Sequence, residues 1–167
     1  MRIVDKLTSI LAAMVEDSGS ELASYQYNSK PLANVSLDRN KPSPTGLLLV
    51  ITDWDLEHNG VTVKESAEVN VSFLISQRPA DRNMTAVDDS IIDRAVGIAV
   101  DFISRLMADK SLRIEDESVK VKSVYDRSDS TRSGVNLTLR ITEKQGVCLD
   151  AYNNQDKDQI GTAVANG

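Results

Sequence analysis

The sequence predicts an α+β domain, in which a mostly antiparallel β-sheet carries two α-helices on one face and a β-hairpin protrudes late in the chain. Two segments repeat apolar residues at helical spacing, whereas several others alternate apolar and polar residues as half-buried strands do. Hairpin-sized connections separate most of these strands and favour antiparallel pairing. Of the 167 residues, we assign 1–150 to one domain and 151–167 to a polar C-terminal tail.

The first helix is expected at residues 2–16. Its apolar residues recur every three or four positions and form one stripe: Ile3, Val4, Leu7, Ile10, Leu11, Met14 and Val15. Ser18 and Gly19 then end the helix. Short strands are expected at 23–27 and 33–37, before the loop "DRNKPSPTG", whose prolines favour an extended path.

The middle of the chain predicts two long strands. The continuous apolar run "LLLVIT" predicts a central strand buried on both faces, and "DWDLEHNG" after it predicts an exposed turn. A long strand follows in "VTVKESAEVNVSFLIS", where Val69, Val71, Phe73 and Ile75 alternate with polar residues. Ser66 could interrupt this strand.

The second helix is expected at residues 90–108, after the polar connector "QRPADRNMTAVDD". Ser90 and Asp93 form a variant of the capping box at its start. Apolar residues cover more than half of its circumference, which is more than a single sheet can bury. We therefore expect the first helix or a second subunit to cover part of it.

The late hairpin joins a strand at 119–125 to a strand at 135–142. About eight residues of Arg, Ser, Asp, Thr and Gly lie between them, although a tight hairpin needs only two. One interpretation is a solvated loop. The other is a contact element, in which Arg127, Asp129 and Arg132 offer both signs of charge to a partner.

The acidic composition narrows the function classes. The net charge is −6 and the pI is near 4.8, which argues against a general nucleic-acid or anionic-membrane binder. No run of 18 apolar residues could span a membrane, and acids interrupt the N-terminal segment where a signal peptide would be continuously apolar. The one cysteine, Cys148, fits a reducing compartment. Between Val147 and Leu149, which predict a last short strand, it is expected to be a small core residue.

The best candidate for a chemical site is the acidic triplet, Asp53, Asp55 and Glu57. Alternating carboxylates share one face of an extended segment and could hold a hard cation. The calcium-loop template does not fit, because His58 stands where that loop needs Gly. No phosphate loop, nucleophile elbow or paired-cysteine motif is present, so we expect no enzyme, metal or cofactor. Trp54, the only tryptophan, is a candidate interface residue.

The order of these elements resembles that of the tail terminator and tail-completion proteins of long-tailed phages. The matching segments are "RIVDKLTSILAAMVE", "TGLLLVITDW", "ESAEVNVSFLIS", "SIIDRAVGIAVDFISRLMAD" and "VKVKSVYDRSDSTRSGVNLTLRIT". The resemblance implies a virion protein, assembled in the host cytoplasm, that forms a ring, usually of six copies. Such a ring caps the tail tube and joins it to the neck, and DNA passes through its lumen without specific binding.

Two other function classes stay open. A non-catalytic adaptor could bind a partner peptide along the edge of its sheet. A metal-dependent enzyme could use Asp53 and Asp55, although a single histidine and the missing nucleophile motif count against it. Measuring the mass of the protein in solution, alone and with a tail-tube protein, would discriminate among these classes.

Overall fold

The computed structural model describes residues 2–27, 45–76, 85–115, 117–127 and 132–148. In chain order its elements are α1 (Arg2–Glu16), β1 (Ser24–Tyr27), β2 (Thr45–His58), β3 (Thr62–Ser76), α2 (Thr85–Ala108), β4 (Leu112–Ile114), β5 (Lys120–Arg127), β6 (Arg132–Glu143) and β7 (Val147–Cys148). The strand expected at 33–37, the connector at 77–84 and the tail after Cys148 lie outside the described residues.

The seven strands form one mixed, mostly antiparallel sheet. Its order is β1-β2-β3-β6-β4; β5 also pairs with β6, and β7 pairs with β3. Every pairing is antiparallel except that of β1 with β2. The α+β fold class that the alternating pattern predicts is therefore confirmed.

Both helices lie on the same face of the sheet. Odd-numbered residues of β3 and β6 stand opposite one another, as Val69 does with Leu139 and Val71 with Leu137. Because side chains alternate along a strand, these residues share one face. They form a single core with the buried residues of both helices: Ile3, Leu7, Leu11 and Met14 of α1, and Ile91, Ala95, Ile98, Ala99, Phe102 and Leu106 of α2. The other face of the sheet, here called the polar face, carries the even-numbered residues of β3 and β6.

The strand pattern differs from the prediction in the middle of the chain. Residues 53–58, expected as a turn, continue β2, and the turn is confined to residues 59–61. Gly60 supports that turn with a positive φ of 86°, which costs glycine little. The prediction that Ser66 could interrupt β3 is wrong, because the strand pairs with β6 without a break from Ser66 to Ser76. β4 is only three residues long, which is too short to show an alternating pattern, and it was not expected.

The second helix begins earlier than predicted. α2 starts at Thr85, so Ser90 lies inside the helix and does not cap it. The apolar periodicity used for the prediction begins only at Ile91, which explains why the first turn was missed. The first helix, at Arg2–Glu16, is where the periodicity placed it.

The late hairpin is tighter than expected. β5 extends to Arg127 and β6 begins at Arg132, opposite it, so only residues 128–131 connect the strands. Gly134 lies inside β6, where a Cβ atom would stand 1.9 Å from the carbonyl oxygen of Phe73. The glycine at this position therefore allows β3 and β6 to approach closely, and it does not loosen the loop as its place in the polar stretch suggested.

A group of buried charges, here called the charge knot (Arg2, Glu65 and Glu143), fixes the start of α1 to the sheet. The Arg2 guanidinium donates to both Glu143 carboxylate oxygens, at 3.0 and 2.6 Å. Glu143 also accepts the backbone N–H of Glu65 at 3.0 Å. The Glu65 carboxylate in turn accepts the backbone N–H of Ile3 at 3.1 Å, so that an otherwise unpaired amide of the first helical turn has a partner.

Candidate functional site

The outer part of β2, residues 53–58 (here called the acidic edge), is exposed on both sides of the sheet. β1 pairs only with Thr45–Leu48, so among the described residues no strand covers β2 beyond that point on its outer side. Trp54 and Leu56 stand opposite Ala67 and Glu65 and therefore lie on the helix-bearing face. They are 40% and 41% exposed, which is high for side chains of this size and polarity.

The acidic triplet lies on the polar face of the same segment. Arg140 of β6 reaches across β3, and its guanidinium contacts Asp53 Oδ2 at 3.1 Å and Asp55 Oδ2 at 2.5 Å. The guanidinium donates hydrogen bonds to Asp53 and to Asp55, and these bonds, that to Asp53 first, raise the pKa of Arg140 above its usual value. Glu115 lies 3.6 Å from the same guanidinium. These carboxylates therefore already face a cation that belongs to the chain, whereas Glu57 remains exposed at the end of the row.

The opposite side of the sheet ends in β5, whose residues 120–123 (here called the basic edge) are also exposed on both sides. Lys120 stands opposite Thr138 and Lys122 opposite Asn136, so both lysines lie on the polar face. Val121 stands opposite Leu137, on the helix-bearing face, and is 48% exposed; Val119 precedes the strand and is 36% exposed. β5 pairs only with β6 among the described strands, so its outer backbone groups are open to another strand.

A second apolar surface runs along α2. Five residues at helical spacing form what we call the α2 stripe: Ile92, Val96, Val100, Ile103 and Met107. Val100 is 55% exposed and Met107 is 71% exposed. On the other flank of the helix, Arg94 and Arg105 form salt bridges with Glu21 and Asp17. The stripe thus lies on the flank away from α1, toward β5, which α2 also contacts.

Of the four residues predicted as an interface, the structure describes the side chains of Trp54 and Arg132, and these two do not share a surface. Trp54 is exposed and lies on the acidic edge, at the opposite side of the sheet from β5. Arg127 ends β5, and Asp129 lies outside the described residues. Arg132 is only 1% exposed, so its guanidinium does not offer charge to a partner from the surface of this chain. Arg132 is the first residue of β6. The polar composition around it had predicted a loop.

The described part of the chain shows no cluster of side chains that could hold a metal ion. No three His, Cys, Asp or Glu side chains there are placed to hold a metal ion. His58 is exposed at the end of β2. Cys148, expected in the core, is exposed because side chains alternate along the two-residue β7 and Val147 takes the covered side. An open groove of about 450 Å³ beside α2 is lined by polar residues that include the Arg94–Glu21 salt bridge. Neither helix in this part is long and apolar enough to cross a membrane.

Sequence reasoning missed two features that lie on β-strands. The charge knot could have been found, because Glu65 and Glu143 occupy odd positions in strands whose other odd positions, apart from Ser133, are apolar. The basic edge could also have been predicted. Apolar residues and lysines alternate there, as expected for a strand with one charged, exposed face: Val119, Lys120, Val121 and Lys122. No family model matches the chain, and no curated protein matches it.

Proposed function

We propose that this protein is a structural subunit that functions as an assembled ring, in the role of a phage tail terminator or neck protein. The α2 stripe is the observation that carries the proposal of assembly. Ile92 and Ile103 are partly buried against the core, so the exposed part of the stripe is Val96, Val100 and Met107, at 37%, 55% and 71%. Exposed apolar side chains grouped along one helix flank are the kind of surface that protein partners cover. The ring and the virion role come from the resemblance in element order.

Two further observations support an assembling subunit. The acidic edge and the basic edge have no partner among the described strands on their outer sides, and proteins that act alone usually protect such edges. A ring of acidic subunits would repel the phosphates of DNA passing through it, in keeping with the net charge of −6.

The proposal is tested by the mass of the particle in solution. Light scattering should find a closed oligomer of the wild-type protein, formed alone or on addition of a tail-tube protein. Val100→Glu with Met107→Glu, which places two charges in the α2 stripe, should return the protein to a monomer with an unchanged melting temperature. Ser104→Glu with Ala108→Glu is the matched control, because both residues are exposed on α2 outside the stripe.

The opposite result would remove the proposal. A wild-type protein that stays monomeric at high concentration, with and without tail-tube protein, is incompatible with a ring. A second candidate, an adaptor that binds a peptide as an added strand, is favoured by the unpaired acidic edge. It predicts one-to-one complexes with an extended peptide and no change of self-association in the α2 variants.

A further inference from the structure

The two exposed edges, which have no outer partner among the described strands, carry opposite charges on one face of the sheet and apolar side chains on the other. On the polar face, the acidic edge carries Asp53, Asp55 and Glu57, whereas the basic edge carries Lys120 and Lys122. On the helix-bearing face, each edge carries exposed apolar side chains: Trp54 and Leu56 on β2, Val121 on β5, and Val119 just before β5. We propose that the acidic edge of one copy pairs with the basic edge of the next copy, so that the sheet continues from subunit to subunit.

The strand directions permit this pairing without turning the subunit over. From β2 through β3 and β6 to β5, each neighbour is antiparallel to the last. A second copy in the same orientation would therefore place its β2 antiparallel to β5. The polar face of one subunit would continue as the polar face of the next, and the helices would remain together on the other face.

One register satisfies both faces at once. With Asp55 opposite Lys120, antiparallel pairing sets Asp53 opposite Lys122 on the polar face. The same register sets Trp54 opposite Val121 and Leu56 opposite Val119 on the helix-bearing face. Opposite-charge pairs and aromatic–β-branched pairs are among the cross-strand pairs that stabilise a sheet.

This register requires neighbouring copies to be offset along their strands. Within one chain, Asp55 pairs with Ser66 of β3, which in turn pairs with Thr142 of β6. Lys120 pairs with a different residue of β6, Thr138. The offset is four residues, or about 14 Å, across four strands that together span about 19 Å. The strands would then tilt by roughly 35° from the axis of a closed ring, which lies at the lower limit of the tilt found in closed β-barrels.

The same contact would use the α2 stripe. The stripe lies on the flank of α2 that faces β5, so a strand added to β5 brings Trp54 and Leu56 of the second copy onto the side of the sheet where the stripe is exposed. The inference rests on the proposed function, since it names the partner surfaces of the ring. It adds a definite pair of edges and a register.

Charge reversal tests the pairing of the edges. Variant A carries Lys120→Glu and Lys122→Glu. Variant B carries Asp53→Lys and Asp55→Lys, with Arg140→Gln to remove the cation that the new lysines would otherwise meet. Each variant has two edges of the same sign and should stay monomeric by light scattering. An equimolar mixture should assemble, because every contact between A and B again joins opposite charges.

The matched control is Lys110→Glu with Lys144→Glu, which makes the same charge change at exposed lysines away from β5 and should leave assembly intact. A second measurement does not depend on how variant B folds. In a Cys148→Ser background, Trp54→Cys with Val121→Cys should form disulfide-linked ladders on oxidation, because directly opposed strand residues have the Cα separation that a disulfide needs. Trp54→Cys with Lys122→Cys places the thiols on opposite faces and should give no ladder.

The outcomes separate this inference from the proposed function. If the wild-type protein forms rings and variant A forms them equally well, or the opposed cysteines give no ladder, the edge pairing is overturned and the ring stands. If the wild-type protein stays monomeric under all conditions, the ring is overturned, and the absence of a ladder would overturn the edge pairing with it. A ladder without rings would support the edge pairing alone.

Discussion

Removing the arginine of the charge knot tests how α1 is held on the sheet. In Arg2→Met, the Glu143 carboxylate, which is 3% exposed, keeps one backbone N–H and the Lys6 ammonium at 3.9 Å. Removing one partner of a buried ion pair costs about 3–5 kcal/mol. Arg2 is itself 16% exposed, so we expect the low end, about 3 kcal/mol. This is a large fraction of the stability of a small domain.

Urea denaturation followed by circular dichroism measures this loss. With a slope of about 2 kcal/mol per molar urea, the midpoint should fall by about 1.5 M. Arg94→Met is the matched control, because its salt bridge with Glu21 joins two half-exposed side chains and should be worth less than about 1 kcal/mol.

A double-mutant cycle shows whether the loss comes from the ion pair. Glu143→Gln keeps the shape of the side chain and an acceptor for the Glu65 N–H but removes the charge that Arg2 meets. The double variant Arg2→Met with Glu143→Gln should be more stable than the sum of the single losses predicts, by about 1–2 kcal/mol. Additive losses, or a loss below about 1 kcal/mol for Arg2→Met, would show that the charge knot does not fix the helix.

Four further predictions concern the strands, a turn, the acidic triplet and the hairpin tip. Leu139→Asp should unfold the protein, since it buries an unpaired carboxylate, whereas Thr138→Asp on the polar face should melt near the wild-type temperature; equal melting would contradict the register. Hydrogen bonds from Ser111 lower the pKa of Asp109, so this carboxylate stabilises the fold above its unfolded pKa near 4. That contribution is lost as the pH falls through the lower folded pKa. In Asp109→Asn, the loss of folding stability on acidification should therefore be smaller. Calorimetry with calcium, magnesium and manganese should find no micromolar site at the acidic triplet, and binding that disappears in Asp55→Asn would refute this. Replacing residues 128–131 with Asn-Gly should leave the melting temperature unchanged but impair assembly if the tip contacts a partner, and normal assembly would make it a solvated connector.

The sequence predicts the elements that form the core better than it predicts the edges of the sheet. Strand and helix periods identify α1, β3 and β6 because each has one face that is buried over its whole length. The continuous run "LLLVIT" does lie within β2, and β1 and β3 flank its first residues, Leu47 and Leu48, but an apolar run does not say where the neighbouring strands end. Among the described strands, β1 pairs only with the first part of β2, and the rest of β2 is an edge.

Interactions between distant segments explain the remaining differences. The polar residues Asp53–Glu57 suggested a turn, but Arg140 lies 85 residues further along the chain and stabilises them as a strand. Arg132 and Gly134 suggested a loop, but pairing with β5 and with β3 makes them part of β6. Local composition cannot reveal such partners, because they meet only when the sheet order is known.

The opposite signs of the two edges restrict how copies can meet. Pairing two acidic edges would set carboxylates against carboxylates, and pairing two basic edges would set lysines against lysines, so both symmetric dimers carry a repulsive element. Only the head-to-tail contact joins opposite charges. A head-to-tail contact either closes into a ring or continues as a fibre, and the rotation between neighbours decides which. A tilted, right-handedly twisted sheet supplies a constant rotation at every contact, and a ring forms where that rotation divides a full turn without a rise along the axis. Fibres of the wild-type protein, seen by electron microscopy in place of rings, would show that this rotation does not close.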